Sequence, residues 1–357
     1  TMTLTRRSIL GGAAAITLLG VIDDVWELPA LPKLLGQVAA ATIPVVFGDV
    51  RADVTTLPFV GGFDLGDLSY PVTIIGIVAV INIINFIDGV DGLASGVCVI
   101  SALTFSIIAI SLDRFEAGVL AAITAGGALG FLRHGFPPAS SFMGDTGSNL
   151  LGYLLATIAV QGSLKTNAAL ALALPLLVLA VPILDTSFVV AKRLKYRQPI
   201  YHADRWHFHH RMANIGFDAR RTLKYLYGWT LVLALLALAL RFVPYSDDRG
   251  NFDPFWTTVM ALVLIGALIA SVYVIQVLEI LKLRRLRLRQ RLGMAVRGGG
   301  AAAAQVEAEV DPAVKRELET GDYAAVNPET GEMSLVDPDT GEMEAVRVAE
   351  RPRSTDA

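Results

Sequence analysis

The stretch of sequence that decides the fold runs from Asn82 to Gly96 and reads N-I-I-N-F-I-D-G-V-D-G-L-A-S-G. An apolar helix here meets two carboxylates and several glycines. Helical spacing sets Asn85 and Asp88 on one face, and the glycines on either side of Asp91 let the backbone turn tightly around it. Acids at a membrane edge are costly, so the group predicts a functional site. The alternative is a helix C-terminal turn whose acids are simply solvated.

The composition places the chain among membrane proteins. Hydrophobic residues make up 54% of the sequence and charged residues only 18%, and several apolar runs approach the length that crosses a bilayer. This balance excludes a soluble enzyme. The formal net charge of -3 averages a basic membrane part and an acidic C-terminal part, so it describes neither.

The apolar runs predict an all-α fold, a polytopic transmembrane helix bundle of about nine spans with a polar C-terminal tail. The first run follows Arg6 and Arg7 and could be an export signal, but no small-residue cleavage site follows it, so a membrane helix fits better. The predicted spans are 8–22, 34–50, 70–86, 93–112, 115–132, 148–163, 167–190, 226–243 and 255–278.

Alternation of these spans puts the polar loops on one face of the membrane. Between Lys192 and Lys224 there are nine Lys or Arg residues against two acids, so the positive-inside rule makes that face cytoplasmic. Arg6 and Arg7 fall on the opposite face and are an exception. The loops predicted on the cytoplasmic face are 23–33, 85–96, 133–148 and 191–225, and the C-terminus lies there too.

Two segments follow from this pattern. Residues 1–297 are the predicted transmembrane domain, which ends in a basic helix suited to anionic lipid headgroups or to stopping translocation. Residues 298–357 are Gly/Ala-rich and then acidic, and we expect a disordered cytoplasmic tail. Within it, N-P-E-T-G-E-M at 327–333 is echoed by D-P-D-T-G-E-M at 337–343.

Four polar motifs share the predicted cytoplasmic face. They are Asp23-Asp24, the Asn85 to Asp91 group, F-M-G-D-T-G-S at 142–148, and H-A-D-R-W-H-F-H-H-R at 202–211. Carboxylates from separate loops suit a hard cation such as Mg²⁺, which binds one or two of them together with phosphate oxygens. The histidines and arginines supply donors for a diphosphate.

Several alternatives remain for these motifs. The Gly-Asp-Thr-Gly-Ser segment can form a phosphate cradle at a helix N-terminus or only a helix cap. The histidines could bind zinc, although His207, His209 and His210 lack the usual i, i+4 pair. Asp185, near the inner end of its span, suits a functional role or a hydrogen bond within the bundle equally well.

Six motifs in order resemble the polyprenyl-phosphate N-acetylhexosamine-1-phosphate transferases. They are G-V-I-D-D-V-W-E-L, K-L-L-G-Q, the Asn82 to Gly96 stretch, F-M-G-D-T-G-S-N-L-L-G, P-I-L-D-T and D-R-W-H-F-H-H-R, within about residues 8 to 290. The last motif is closer to the N-acetylglucosamine branch than to the muramoyl-pentapeptide branch. The resemblance implies transfer of a sugar 1-phosphate, most simply GlcNAc-1-phosphate, from a UDP-sugar to a polyprenyl phosphate such as undecaprenyl phosphate, with release of UMP.

The resemblance also implies partners and site residues. It implies a multi-pass protein of the inner or plasma membrane, in contact with the bilayer and with a cytoplasmic active site that uses Mg²⁺ or Mn²⁺ as cofactor. It implies a role in cell-envelope polysaccharide synthesis and no nucleic-acid partner. It is also compatible with a homodimer. The implied catalytic residues are Asp23, Asp24, Asp88 and Asp145, the metal ligands Asp24 and Asp145, and the substrate-binding residues Lys33, Asn85, Asp91, Arg205, His207, His209, His210 and Arg211.

Other functions compete with this interpretation. The muramoyl-pentapeptide phosphate transferase reaction of peptidoglycan synthesis is the alternative within the family. The family also has two further spans and a cytoplasmic Gly-rich loop before the Asp23-Asp24 helix, to which nothing in this sequence corresponds, so an inactive fragment or a lipid-binding membrane protein is a second alternative. A transporter would place its ionisable groups near mid-bilayer and on inverted repeats. The sequence favours neither that placement nor such repeats.

Overall fold

The structure is a computed structural model. It describes residues 2–52, 54–57, 61–163, 168–195, 207–208, 212, 217–243, 253–274, 333–336 and 343–346. The described helices are α1 (Met2–Trp26), α2 (Ala30–Phe47), α3 (Ser69–Ile87), α4 (Leu93–Ser111), α5 (Phe115–Gly135), α6 (Gly144–Ser163), α7 (Ala168–Val178), α8 (Ala180–Lys195), α9 (Ala219–Phe242) and α10 (Pro254–Val274).

The helical membrane bundle predicted from the sequence is confirmed. Seven of the described helices are long and apolar enough to cross a bilayer, namely α1, α2, α3 with its preceding turn, α4, α5, α9 and α10. Helix α6 and the α7–α8 pair are not among them. Of the roughly nine predicted spans, seven therefore have a matching membrane-length helix among the described residues. The predicted span 167–190 is divided at Leu179, three residues before Pro182, which has no N–H to continue the helical ladder.

The first helix is longer than the sequence predicted. The prediction placed it at 8–22, with Asp23 and Asp24 in a loop, whereas α1 runs through both aspartates to Trp26. The connection to α2 is correspondingly short, residues 27–29. Both carboxylates are therefore held on a helix, which fixes their direction more tightly than a loop would.

Two apolar cores meet along α6. In the first core, Ile16, Ile77 and Ile81 are fully buried between α1, α2, α3 and α6, and the Tyr153 hydroxyl of α6 donates to the Ile9 carbonyl of α1 at 3.0 Å. The second core joins α4 to α9 and includes several small side chains that let the helices approach closely. Its buried small residues include Ala94, Cys98, Ala102, Ala121, Ala125, Ala128 and Ala237.

The short connections after α1, α3 and α5 lie at one end of the bundle. Asp24 at the end of α1 contacts Thr146 at the start of α6, and Asp91 in the α3–α4 turn contacts Ala139 in the α5–α6 loop. Arg220 at the start of α9 donates to the Pro137 carbonyl of the same loop at 3.1 Å. Successive antiparallel crossings thus bring polar segments far apart in sequence together.

Arg6, an exception to the predicted cytoplasmic placement of the basic residues, has an ion-pair partner in the structure. Arg6 at the start of α1 forms an ion pair of 2.6 Å with Glu116 at the start of α5. Both helix starts lie at the end of the bundle opposite the short connections. This exposed pair offsets one of the two arginine charges there, although an exposed pair adds little stability.

Two pairs of short strands are additions to the predicted all-α architecture. β1 (Val54–Leu57) pairs antiparallel with β2 (Gly61–Asp64) between α2 and α3. β3 (Met333–Val336) pairs antiparallel with β4 (Met343–Val346), and each strand begins at the methionine that ends a copy of the repeated motif. The tail predicted to be disordered therefore has one described strand pair, and its other residues lie outside the described part of the chain.

Candidate active site

Asp24 of α1 caps the start of α6. Its carboxylate accepts hydrogen bonds from the backbone N–H groups of Asp145 at 2.7 Å and Thr146 at 3.1 Å, and from the Thr146 hydroxyl at 2.6 Å. A carboxylate at a helix N-terminus satisfies N–H groups that have no partner within the helix. Gly144 has φ of +64°, and a Cβ on it would lie 2.7 Å from Asp24 Oδ2, so the approach requires glycine.

Lys33 of α2 joins two of the predicted catalytic acids. Its Nζ lies 2.8 Å from Asp23 Oδ2 and 2.7 Å from Asp145 Oδ2. Asp23 is buried, and its other oxygen accepts the Leu28 backbone N–H at 2.8 Å. Two carboxylates brought this close would repel one another in a poorly solvated place, and the ammonium between them offsets that repulsion. Lys33 therefore ties α1, α2 and α6 together at this end of the bundle.

Asn85 of α3 completes the surroundings of Asp145. Its Nδ2 donates to Asp145 Oδ1 and, at 2.9 Å, to Ser148 Oγ. The Ser148 hydroxyl in turn donates to the Gly144 carbonyl at 2.9 Å. Each oxygen of Asp145 therefore has one partner, Lys33 on one side and Asn85 on the other. The carboxylate is held in a single orientation before any ligand arrives.

An open pocket of about 420 Å³ adjoins these residues. Four carboxylates line it, together with glycines, two phenylalanines and the Asn85 amide. The sequence predicted that acids from separate loops would meet here, and the structure brings them together, although their individual roles stay predictions. The lining residues are Asp24, Asn85, Asp88, Gly89, Val90, Asp91, Gly92, Phe131, Gly135, Ala139, Ser141, Phe142, Met143, Gly144 and Asp145.

The pKa of Asp88 reflects the negative potential of this pocket. Burial of Asp88, together with the charges of the three other pocket carboxylates, raises the pKa of its carboxyl to about 7. Among the described residues no group donates a hydrogen bond to its side chain. A cation entering the pocket would relieve this repulsion and favour the ionised form of Asp88.

Asp91 has a partner that the sequence did not indicate. One of its oxygens, Oδ2, accepts the Ala139 backbone N–H at 3.0 Å. Asp91 thereby holds the 136–143 loop, which forms the opposite side of the pocket. Of the two glycines expected to shape this turn, Gly92 has positive φ, +75°, and Gly89 does not. The prediction that Asp91 binds the nucleotide stays untested, but its loop contact gives it a second role.

The histidine motif is only partly described. His207 lies outside the pocket lining, with Nδ1 3.0 Å from Asp185 Oδ2 on α8 and its ring 6.2 Å from that of Phe86. The Phe208 backbone N–H donates to the other Asp185 oxygen at 2.7 Å. The remaining predicted residues of this motif, Arg205, His209, His210 and Arg211, lie outside the described residues.

The donors in the pocket suit a hard cation. Within the described part of the chain no three His, Cys, Asp or Glu side chains are arranged to hold a metal ion. The predicted ligands Asp24 and Asp145 supply only oxygen atoms, which fits Mg²⁺ better than zinc when phosphate and water oxygens complete the coordination. For the zinc alternative, the one described histidine of the motif, His207, is paired with Asp185.

Sequence reasoning missed Phe142 as a candidate. It lines the pocket with its side chain 82% exposed, although it begins the F-M-G-D-T-G-S motif already singled out. An exposed aromatic ring beside an acidic pocket can stack on a planar ligand such as a nucleobase. The signal was an aromatic residue in a polar loop, which is ambiguous until the loop is placed over a cavity.

Comparison with known proteins identifies the family. Residues 7–163 match the model of glycosyl transferase family 4. The chain is 36% identical over 235 residues to a probable undecaprenyl-phosphate N-acetylglucosaminyl 1-phosphate transferase of Bacillus subtilis, covering 66% of this chain and 65% of that protein. It is 35% identical over 280 residues to the decaprenyl-phosphate N-acetylglucosaminephosphotransferase of Mycobacterium leprae, covering 72% and 70%.

A third relative represents the muramoyl branch. The phospho-N-acetylmuramoyl-pentapeptide-transferase of Desulforudis audaxviator is 33% identical over 251 residues, covering 65% of this chain and 73% of that protein. The apolar helices and the family match define a multi-pass membrane protein of the glycosyltransferase class. The chain belongs to the polyprenyl-phosphate N-acetylhexosamine-1-phosphate transferase family. It spans about two thirds of the length of the N-acetylglucosamine-specific relatives that it matches.

Proposed function

We propose that the protein transfers GlcNAc-1-phosphate from UDP-GlcNAc to a polyprenyl phosphate, undecaprenyl or decaprenyl phosphate, and releases UMP. The observation that carries the proposal is the acidic pocket at one end of a membrane bundle, next to the Lys33 bridge. A lipid acceptor keeps its tail in the bilayer while its phosphate must meet a soluble nucleotide, so the reaction requires a polar site at the membrane boundary. The names of two relatives state this sugar phosphate and these acceptors.

In the proposed reaction an oxygen of the acceptor phosphate attacks the β-phosphorus of UDP-GlcNAc, which bears the sugar. A new phosphorus–oxygen bond forms, and the bond from the β-phosphorus to the bridging oxygen breaks, so that UMP leaves with that oxygen. No proton has to be removed when the acceptor phosphate is already ionised. The barrier is then mainly repulsion between anions and correct positioning.

The pocket residues would share the work of binding and orientation. Asp24 and Asp145 would hold Mg²⁺, which supplies positive charge against the diphosphate when it is bound. Lys33 places an ammonium beside Asp145, and buried Asp23 keeps that ammonium in position, which favours a supporting part for Asp23 over the predicted catalytic role. Phe142 offers a ring for the uracil base.

The same proposal gives the protein an orientation. Nucleotide-sugars are soluble metabolites of the cytoplasm. The pocket end of the bundle would therefore lie on the cytoplasmic side of a plasma or inner membrane. The excess of basic residues predicted on this face supports that orientation. The end with the Arg6–Glu116 pair would face the opposite compartment.

The test is release of UMP by the purified full chain in lipid nanodiscs containing undecaprenyl phosphate. We expect release with UDP-GlcNAc and Mg²⁺, loss of release when EDTA replaces Mg²⁺, and a GlcNAc-diphospholipid product by mass spectrometry. UDP-glucose serves as a control nucleotide. Failure to form the lipid product with UDP-GlcNAc at saturating Mg²⁺ would contradict the proposal.

A second candidate function is the transfer of phospho-N-acetylmuramoyl-pentapeptide. The match to the Desulforudis audaxviator protein favours it as the one to test next. Adding UDP-N-acetylmuramoyl-pentapeptide to the same panel separates the two functions. We expect UDP-GlcNAc to give the higher kcat/KM, and the reverse order would exchange the two assignments.

A further inference from the structure

Two walls of the acidic pocket are each hydrogen-bonded to helix α9. One wall is the α3–α4 turn, which contributes residues 88–92 to the lining, and the other is the 136–143 loop, which contributes Ala139, Ser141, Phe142 and Met143. The residues of α9 do not line the pocket themselves. Any effect of α9 on a bound ligand must therefore pass through these two walls.

Tyr227 of α9 holds the first wall. Its hydroxyl donates to the carbonyl of Gly92, which lines the pocket and directly precedes α4. Its ring lies so close to Gly96 in the first turn of α4 that a Cβ at that position would overlap it. The Gly92 carbonyl also accepts the Gly96 N–H at 2.9 Å. Loss of the tyrosine hydroxyl would thus free the turn from α9 without leaving this acceptor unpaired.

Arg220 of α9 holds the second wall. Its Nε donates to the Pro137 carbonyl at 3.1 Å. Asp91 of the first wall accepts the Ala139 N–H of the same loop at 3.0 Å. The turn, the loop and α9 are therefore joined pairwise, and Phe142 lies in the loop only five residues beyond the Arg220 contact.

Helix α9 is fixed in the bundle independently of these two contacts. Arg220 and Tyr227 are seven residues apart, which places them on one face of the helix and about 10 Å apart along its axis. Between them Leu223 is 1% exposed and belongs to the second apolar core. At the helix start the Asp218 side chain accepts the Arg221 N–H at 2.9 Å. The helix is therefore a rigid support from which two side chains reach the pocket walls.

We infer that Arg220 and Tyr227 are positioning residues, which set the separation of the two pocket walls and thereby the affinity for the nucleotide part of the sugar nucleotide. The inference rests on the proposed function, in which Phe142 of the second wall stacks on uracil. The reacting phosphates would be held elsewhere, beside Asp24 and Asp145. Loosening the walls should therefore weaken UDP-GlcNAc binding more than it slows the chemical step.

Two substitutions remove the contacts one at a time, and α9 offers a matched control for each. Tyr227→Phe deletes only the hydroxyl, and Tyr225→Phe deletes the hydroxyl of a tyrosine that is 60% exposed. Arg220→Met removes the guanidinium while keeping an unbranched side chain. Arg221→Met does the same at the next residue, whose side chain is 69% exposed. Both controls should retain wild-type behaviour.

The first measurement is hydrogen–deuterium exchange of the full chain in nanodiscs, read by mass spectrometry. Tyr227→Phe should raise the exchange rate of the 88–92 turn, and Arg220→Met that of the 136–143 loop, each by at least about threefold. The two controls should leave both segments unchanged. Wild-type exchange of both walls in Tyr227→Phe and Arg220→Met would overturn the inference.

The second measurement is the kinetics of UMP release. Each wall variant should raise KM for UDP-GlcNAc by about threefold to tenfold, the range expected for loss of one hydrogen bond. We expect kcat and KM for undecaprenyl phosphate to stay within about twofold of the wild type. A purely structural role would instead reduce the folded fraction, which lowers Tm and apparent kcat at unchanged KM. That result would overturn the inference.

These outcomes separate the inference from the function on which it rests. A wild-type protein that releases no UMP from any sugar nucleotide refutes the proposed function, and hydrogen exchange then still decides whether α9 holds the walls. An active wild type, together with variants whose walls exchange faster at unchanged KM for UDP-GlcNAc, refutes the inference alone.

Discussion

Two groups of aspartates lie at the pocket end of the bundle and differ in how completely other residues hold them. In the carboxylate cluster, formed by Asp23, Asp24 and Asp145 around Lys33, every acid has a hydrogen-bond or ion-pair partner from another segment. In the α3–α4 turn, Asp91 holds the 136–143 loop, while the Asp88 side chain has no hydrogen-bond donor among the described residues.

The difference shows that the same residue type serves different purposes at one site. The cluster is built in advance, because its charges are fixed by neighbours from three helices and need little rearrangement when a ligand binds. Asp88 instead stays in an unfavourable environment, with its pKa raised to about 7, and is the acid whose state a bound cation would change most. Variants of the two groups should therefore respond differently.

The largest effect is expected for Asp145→Asn. This change removes a carboxylate that receives both Lys33 and Asn85, so UMP release should fall by about 10³-fold or more. The matched control is Glu116→Gln, which removes an acid at the other end of the bundle and should change activity less than about twofold. Retention of more than a tenth of the activity by Asp145→Asn would contradict the role given to the cluster.

A smaller loss is expected for Lys33→Met. Without the ammonium, Asp23 and Asp145 face one another unscreened, and we expect kcat/KM to fall by about 10²-fold, with a lower Tm. Lys33→Arg keeps the positive charge and should lose less than about tenfold. Steady-state kinetics and thermal unfolding in detergent measure these losses. Equal losses of kcat/KM in both variants would show that the positive charge alone does not support the cluster.

Asp91 offers the next test, because holding the 136–143 loop and binding the nucleotide predict different effects of substituting it. Asp91→Ala removes the acceptor of the Ala139 N–H, and the loosened pocket wall should raise KM for UDP-GlcNAc by about tenfold. Asp91→Asn keeps an acceptor oxygen and should stay within about threefold. A loss in Asp91→Asn as large as that in Asp91→Ala would favour direct nucleotide binding through the charge.

The smallest effect concerns stability and pH at Asp88. Its pKa in the folded protein is raised, so its contribution to stability is fully present below about pH 4 and is lost as the pH rises through about 7. Asp88→Asn cannot ionise and escapes this loss. In EDTA, the Tm of Asp88→Asn should exceed that of the wild type by about 4 °C at pH 8, and the two should converge near pH 4. A Tm difference that is independent of pH would contradict the raised pKa.

Much of this arrangement could be predicted, and the limits have physical reasons. The apolar runs predicted the helices because a bilayer demands about 20 apolar residues per crossing. Alternation of crossings then predicted that Asp24, Asn85, Asp88 and Asp145 share a face. Helix ends were less predictable, since α1 continues through Asp23 and Asp24, whose polar side chains gave no indication that they would be satisfied by α2 and α6.

The sequence by itself determined that the chain is a helical membrane protein with the acids of its polar motifs collected at one end, because hydrophobic length and spacing act locally along the chain. Only the tertiary structure decided which partner each acid meets: that Asp24 caps α6, that Lys33 bridges Asp23 and Asp145, and that Asp185 contacts His207. Most of those contacts join residues more than 20 positions apart in sequence, and the Lys33–Asp23 contact is the exception at ten. Residue type along a chain cannot specify them, because any carboxylate can accept from any donor that the fold brings within reach.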